Sequence, residues 1–124
     1  MNGGLLLDNF AFRTATPFVD LQAGVDLEVA IAPSTSTSVN DAIATFPYNL
    51  AAGETYTLVA NGIVSGTGYM PNQPFGIDVF AGSRETATSG PANTDILVCH
   101  GSTDAPVVDV NEVLVLGGAT LVDD

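Results

Sequence analysis

The chain has 124 residues, which suits one domain that can bury a hydrophobic core without disulfides or metals. Fourteen Asp and Glu residues stand against two basic residues, Arg13 and Arg84, and there is no Lys, so the formal net charge is −12. Such a surface repels phosphate backbones and anionic lipids, which argues against nucleic-acid binding and against a role on membrane surfaces.

The polar residues are mostly uncharged, since only 13% of the chain is Asp, Glu, Lys or Arg. Abundant Ala, Gly, Thr, Ser and Val are typical of secreted β-proteins, so we expect a secreted or cell-surface location. The single cysteine, Cys99, cannot form an internal disulfide. No apolar run approaches the roughly 20 residues that span a bilayer, which argues against membrane insertion. The N-terminus lacks the pattern of a signal peptide, so we expect any such peptide to lie outside this sequence.

Short apolar segments separated by turn residues predict strands along the whole chain. Residues 5–10 and 17–21 are two short candidates, and residues 25–31 show the clearest alternation of apolar and polar positions. Residues 43–50 predict a strand at a sheet edge, because Pro47 cannot donate a hydrogen bond to a neighbouring strand.

A repeated pattern marks two of these strands. Residues 50–60 and residues 21–31 both read Leu-x-Ala-Gly followed by an alternating strand. Gly24 and Gly53 therefore occupy equivalent turns. Tyr56, three residues after Gly53, is predicted to form a tyrosine corner, with its hydroxyl hydrogen-bonded to upstream backbone.

The remaining segments complete an all-β pattern. Residues 65–74 predict a loop that carries Tyr69 and Met70, residues 75–81 a strand, and residues 82–94 a connector. No amphipathic helical period extends beyond a turn or two. We therefore predict an antiparallel β-sandwich of about 7–9 strands.

The C-terminus repeats the N-terminus. Residues 117–124 align without gaps onto residues 2–9, and Gly118, Leu121 and Asp123 match residues of the same type. We predict a slice of a tandem array in which residues 1–116 form one β-sandwich repeat in permuted phase. Residues 95–116 would be the opening strands of the next repeat unit, and residues 117–124 the start of the repeat that follows.

One motif carries a family resemblance. Residues 98–110 read Val-Cys-His-Gly-Ser-Thr-Asp-Ala-Pro-Val-Val-Asp-Val. This segment resembles the start of DUF4397 repeats, an apolar strand followed by His-Ala-Ser-x-Asp-Ala-Pro-x-Val-Asp-Val. Gly101 departs from the common Ala, and the motif stands near the C-terminal end. The resemblance implies an Ig-like or transthyretin-like sandwich, secreted or displayed on a microbe, often in tandem, and no established chemistry. The predicted structural signature is His100, Ser102, Asp104, Pro106, Asp109, Tyr56, Gly24 and Gly53.

The residues of this motif also suggest catalysis, but their spacing favours a structural role. Cys99 and His100 are strand neighbours that point to opposite faces, so they do not form a dyad. We expect His100 to be fixed by hydrogen bonds at the strand end. The side chains of Ser102 and Asp104 can accept backbone N–H groups, and Pro106 fixes the backbone after them. We predict no catalytic residue and no cofactor-binding residue.

Metal binding has only weak candidates. Asp104 and Asp109 could join His100, yet one His and one Cys make a poor set for a transition metal. Calcium suits an acidic extracellular protein better, although the chain lacks an Asp-x-Asp-x-Asp-Gly loop. We therefore expect no cofactor, with Ca²⁺ as the alternative, and a solvated acidic surface.

These observations predict a non-catalytic repeat module of a large secreted or cell-surface microbial protein, acting as a spacer or an adhesion domain. The alternative is an extracellular module that binds carbohydrate or calcium through residues 65–74 and neighbouring carboxylates. Expected partners are neighbouring repeats and an unknown surface ligand. The strand expected before Asn2 would be supplied by residues 96–110, either within the chain or by exchange in a homo-oligomer.

Overall fold

The computed structural model describes the backbone of residues 4–114 and 117–122 and the side chains of residues 4–111. Six strands and one three-residue 3-10 helix make up its regular structure, so the all-β prediction is confirmed. The strands are β1 (Asp26–Ile31), β2 (Ala44–Asn49), β3 (Tyr56–Asn61), β4 (Gly76–Ala81), β5 (Val110–Leu114) and β6 (Gly117–Val122), and the helix is Val39–Asp41.

The strands form three two-stranded sheets, in which β1 pairs with β2, β3 with β4, and β5 with β6. The predicted count of 7–9 strands is therefore wrong for the part of the chain that the structure describes. Residues 5–10, 17–21 and 96–98 are not strands. Asn9 and Arg13 have positive φ angles of 50° and 63°, which interrupt extended backbone in the N-terminal segment.

The sheet of β1 and β2 shows the predicted alternation. In its antiparallel register, Leu27 pairs with Tyr48 and Val29 with Phe46. These four side chains are half-buried, whereas the residues between them are exposed. One face of the sheet is therefore apolar and the other is polar, as expected for a sheet that packs on one side.

The connection between β1 and β2 is held by a local cap. The side chain of Ser38 accepts a hydrogen bond from the backbone N–H of Asn40, while the Asp41 carboxylate accepts the N–H groups of Thr37 and Ser38 at 3.0 Å each. This reciprocal arrangement is a capping box, and it satisfies the donors at the start of the helix.

The sheet of β3 and β4 continues into a close backbone contact. The N–H of Ile63 donates to the carbonyl of Gln73 at 2.8 Å, and Ile63 forms an isolated parallel bridge with Pro74. Beyond the other end of β3, the N–H of Ser83 donates to the carbonyl of Thr55 at 3.1 Å.

None of the residues whose side chains are described is buried, so apolar side chains lie at the surface throughout. The expected hydrophobic core is not found among them. The physical reason is that each two-stranded sheet is a single layer, whereas a core needs a second layer. The chain divides into two compact units, Met1–Tyr56 with Ala81–Ser83, and Thr57–Phe80 with Arg84–Asp124.

Candidate functional site

The predicted motif folds into a turn that we call the signature turn, residues 100–106. The imidazole of His100 bridges it: Nε2 lies 3.1 Å from the carbonyl oxygen of Pro106, and Nδ1 accepts the backbone N–H of Ser102 at 3.3 Å. Because Nδ1 acts as an acceptor, the neutral ring carries its proton on Nε2 and donates it to Pro106. The side chain thus ties the two ends of the turn together.

The other polar side chains of the signature turn bind each other. Ser102 Oγ donates to Asp104 Oδ1 at 3.0 Å. This arrangement differs in detail from the expectation that both side chains accept backbone N–H groups. A serine nucleophile would instead donate its proton to the imidazole of a base. The geometry therefore brings Ser102, His100 and Asp104 together as a braced turn, without the relay of a catalytic triad.

The signature turn lies beside the end of β3. A Cβ at Gly101 would be 3.5 Å from Asn61 Nδ2, and this nitrogen donates to Asp78 Oδ2 on β4 at 3.3 Å. Asn61 was not among the predicted site residues, although an asparagine before a glycine at the end of an apolar segment is a signal in the sequence. The side chain of Asn61 thus joins β3 to β4 at a point that adjoins the signature turn.

The remaining residues of the motif are more scattered. Cys99 is a free, half-buried cysteine, and Asp109 is exposed just before β5. Among the described residues, no group of three or more His, Cys, Asp or Glu side chains is placed to hold a metal ion. His100, Asp104 and Asp109 therefore do not form such a group in this part of the chain.

A second polar cluster centres on Asp95. Its Oδ2 accepts three hydrogen bonds, from Thr88 Oγ1 at 2.8 Å, from Thr88 N–H at 3.1 Å and from Arg84 Nε at 2.9 Å. The Thr88 bonds, followed by the bond and positive charge of Arg84, hold the pKa of Asp95 below its ordinary value despite some desolvation. These hydrogen bonds hold residues 84–95 together as a closed loop, where the sequence predicted only a connector.

The residues predicted at the paired turns occupy unit Met1–Tyr56. Tyr56 Oη accepts the backbone N–H of Ala51 at 3.1 Å, five residues upstream. Gly24 and Gly53 have φ angles of +67° and +79°, in the left-handed region where a side chain is strained. The N–H of Gly24 donates to the carbonyl of Leu50 at 2.8 Å, which joins the two turns.

The loop of residues 65–74 displays two large side chains. Tyr69 is 62% exposed and Met70 is 89% exposed. Internal hydrogen bonds hold the loop: Ser65 Oγ donates to the Thr67 carbonyl at 3.0 Å, and the Asn72 amide donates to the Gly66 carbonyl at 2.9 Å. Tyr69 is therefore an exposed aromatic side chain in the loop between β3 and β4.

Together these features define a β-rich module whose polar motif braces a turn. The family follows from a comparison of the sequence with family models. The model of DUF4397, a domain of unknown function, matches residues 1–111. Because this match covers most of the chain, the chain belongs to the DUF4397 family, and the family prediction is confirmed.

Two further comparisons add no relative: neither the curated proteins nor the solved structures gave a significant match. In the described part of the chain, the structure has no helix long and apolar enough to span a membrane.

Proposed function

We propose that the chain is a non-catalytic repeat module of a large secreted or cell-surface microbial protein, serving as a spacer or an adhesion domain. The signature turn carries this proposal. His100, Ser102 and Asp104 direct their hydrogen bonds at one another and at the turn backbone. Groups used in this way stabilise a fold, whereas an active site needs them available to a substrate.

The finer architecture belongs to the same proposal. We infer an Ig-like or transthyretin-like sandwich in which the apolar face of the β1–β2 sheet packs against a second sheet. Support comes from the one-sided alternation of that sheet, since half-buried Leu27 and Phe46 expose apolar surface that a second layer would cover.

The proposed partners are neighbouring repeats or further copies of the chain. Residues 5–7 and 96–98 are apolar, exposed and outside any strand. Segments of this kind add readily to a sheet edge, which supports strand exchange or homo-oligomers. The charge of −12 supports the proposed extracellular setting, because it favours solubility and disfavours nucleic-acid partners.

A second candidate is a module that binds carbohydrate or Ca²⁺. It is favoured by the loop of residues 65–74, where the side chains of Ser65 and Asn72 bond to the loop backbone and the side chain of Tyr69 is exposed. An exposed aromatic ring can stack on a sugar, and a braced loop lowers the entropy that binding costs.

Calorimetric titration with Ca²⁺ and a glycan array together test the two candidates. The spacer predicts no saturable heat and no glycan signal. The binding module predicts a saturable signal that Tyr69→Ala removes for a glycan. The matched control is Phe75→Leu, which changes an aromatic residue next to the same loop. Binding that Tyr69→Ala abolishes and Phe75→Leu preserves would replace the spacer with the binding module.

A further inference from the structure

An Asn-Gly pair spans the end of β3 in a reactive arrangement, with Asn61 as the last residue of the strand. The backbone N–H of Gly62 donates to Oδ1 of Asn61, its own neighbour, at 2.8 Å. A carbonyl bond is about 1.2 Å long, so the Gly62 nitrogen lies within about 4 Å of Asn61 Cγ. A near-attack separation is about 3–3.5 Å, so a small change in the Asn61 side chain brings the nitrogen and this carbon into reacting distance.

Glycine is required at this position, which leaves the nitrogen unshielded. Gly62 has a φ of +87°, and a Cβ there would lie 2.7 Å from the carbonyl carbon of Pro74 and 3.0 Å from the carbonyl oxygen of Gln73. Any side chain would therefore collide with backbone. The same packing that selects glycine removes the side chain that would otherwise hinder attack on the neighbouring asparagine.

We propose that Asn61 is a site of spontaneous deamidation. The Gly62 nitrogen attacks Asn61 Cγ, so the N–Cγ bond forms and the Cγ–Nδ2 bond breaks. Ammonia leaves with the proton that the Gly62 nitrogen gives up, and a cyclic succinimide remains. Water then opens the ring at either carbonyl to yield aspartate or isoaspartate. The reaction consumes water and needs no oxidant, reductant or enzyme.

This modification acts on the signature turn. Asn61 Nδ2 donates to Asp78 Oδ2 at 3.3 Å and lies 3.5 Å from the place that a Cβ added to Gly101 would take. Deamidation replaces that donor with a carboxylate beside the carboxylate of Asp78. Like charges at this separation repel each other, and the hydrogen bond is lost. The link between β3 and β4 is therefore weakened next to the signature turn, and we expect the turn to open more readily in the modified chain.

Labelling with oxygen-18 water tests the reaction. The folded full chain is incubated in mildly alkaline H₂¹⁸O beside a sample in urea, and peptides are mapped by mass spectrometry. We expect ¹⁸O at residue 61 of the folded chain at least as fast as in urea, and at least ten-fold faster than at Asn40 or Asn72. Protection of Asn61 in the folded chain while it is labelled in urea would overturn the proposal.

Hydrogen exchange tests the consequence. In the modified chain, separated by charge, and in Asn61→Asp, the Ser102 amide should exchange several-fold faster than in the unmodified chain. The amide of Val29, in β1, serves as the control and should not change. If Asn61→Asp does not fold, the modified native chain gives the same readout. Unchanged exchange at Ser102 would overturn the link to the signature turn.

Discussion

Removal of the imidazole in His100→Ala tests whether this side chain braces the signature turn. The substitution removes two hydrogen bonds, to the Pro106 carbonyl and from the Ser102 N–H. His100 is exposed, so each bond contributes at the low end of the usual range, about 0.5 kcal/mol. The expected loss in the free energy of unfolding is therefore about 1 kcal/mol.

Urea denaturation followed by circular dichroism measures this loss. With a slope of about 1–3 kcal/mol/M, the midpoint should fall by about 0.3–1 M, and Tm should fall by about 3–6 °C. Thr103→Ala is the matched control, because Thr103 is exposed in the same turn. A midpoint for His100→Ala that equals that of Thr103→Ala would refute the bracing role.

Three further predictions concern single side chains, each with its contacts inside one of the two units. In Asp95→Asn, the stability lost is expected to depend on pH: hydrogen bonds lower the pKa of Asp95 below 3.8, so its contribution is present above that value and lost as pH falls through the folded-state pKa. Urea midpoints for the wild type and the variant should converge in acid, and a constant difference would contradict this. Gly101→Ala should stabilise the chain by about 0.4–1 kcal/mol in thermal unfolding, because the new methyl group meets Asn61 at ordinary contact distances of 3.5–3.8 Å; a lower Tm would show that the turn needs glycine. Tyr56→Phe should cost about 1 kcal/mol, since the Ala51 N–H loses its acceptor; unchanged stability in the same melts would mean that water replaces the hydroxyl.

The strands that sequence predicted well are those with a long alternating pattern. The predicted strands at residues 25–31 and 43–50 correspond to β1 and β2. Their half-buried residues, among them Leu27, Val29 and Phe46, share one face, and the exposed residues between them lie on the other. Pro47 fits there because each strand of a two-stranded sheet is an edge. Local sequence specifies such strands, since the period-2 pattern places all apolar side chains on one side.

The short apolar runs were harder to predict. Residues 5–10 and 96–98 have strand-forming composition but no alternation, so their conformation depends on a partner strand that composition cannot identify. The partners of Asp95 were equally unpredictable from composition, because its contacts to Thr88 and Arg84 form only when the loop between them closes. Within the signature turn, the residue types predicted a hydrogen-bonded turn, but they did not determine that Ser102 bonds to Asp104 or that His100 bonds to Pro106.

The most direct test of the structural role of this motif is the tautomer of His100, which the spectrum of this chain reports without ambiguity because there is only one histidine. A long-range ¹H–¹⁵N correlation spectrum, recorded at a pH where the ring is neutral, distinguishes the two ring nitrogens. We predict that the neutral ring carries its proton on Nε2 and that Nδ1 accepts the Ser102 N–H. A proton on Nδ1, or signals averaged as in a free imidazole, would contradict the proposal that His100 braces the turn.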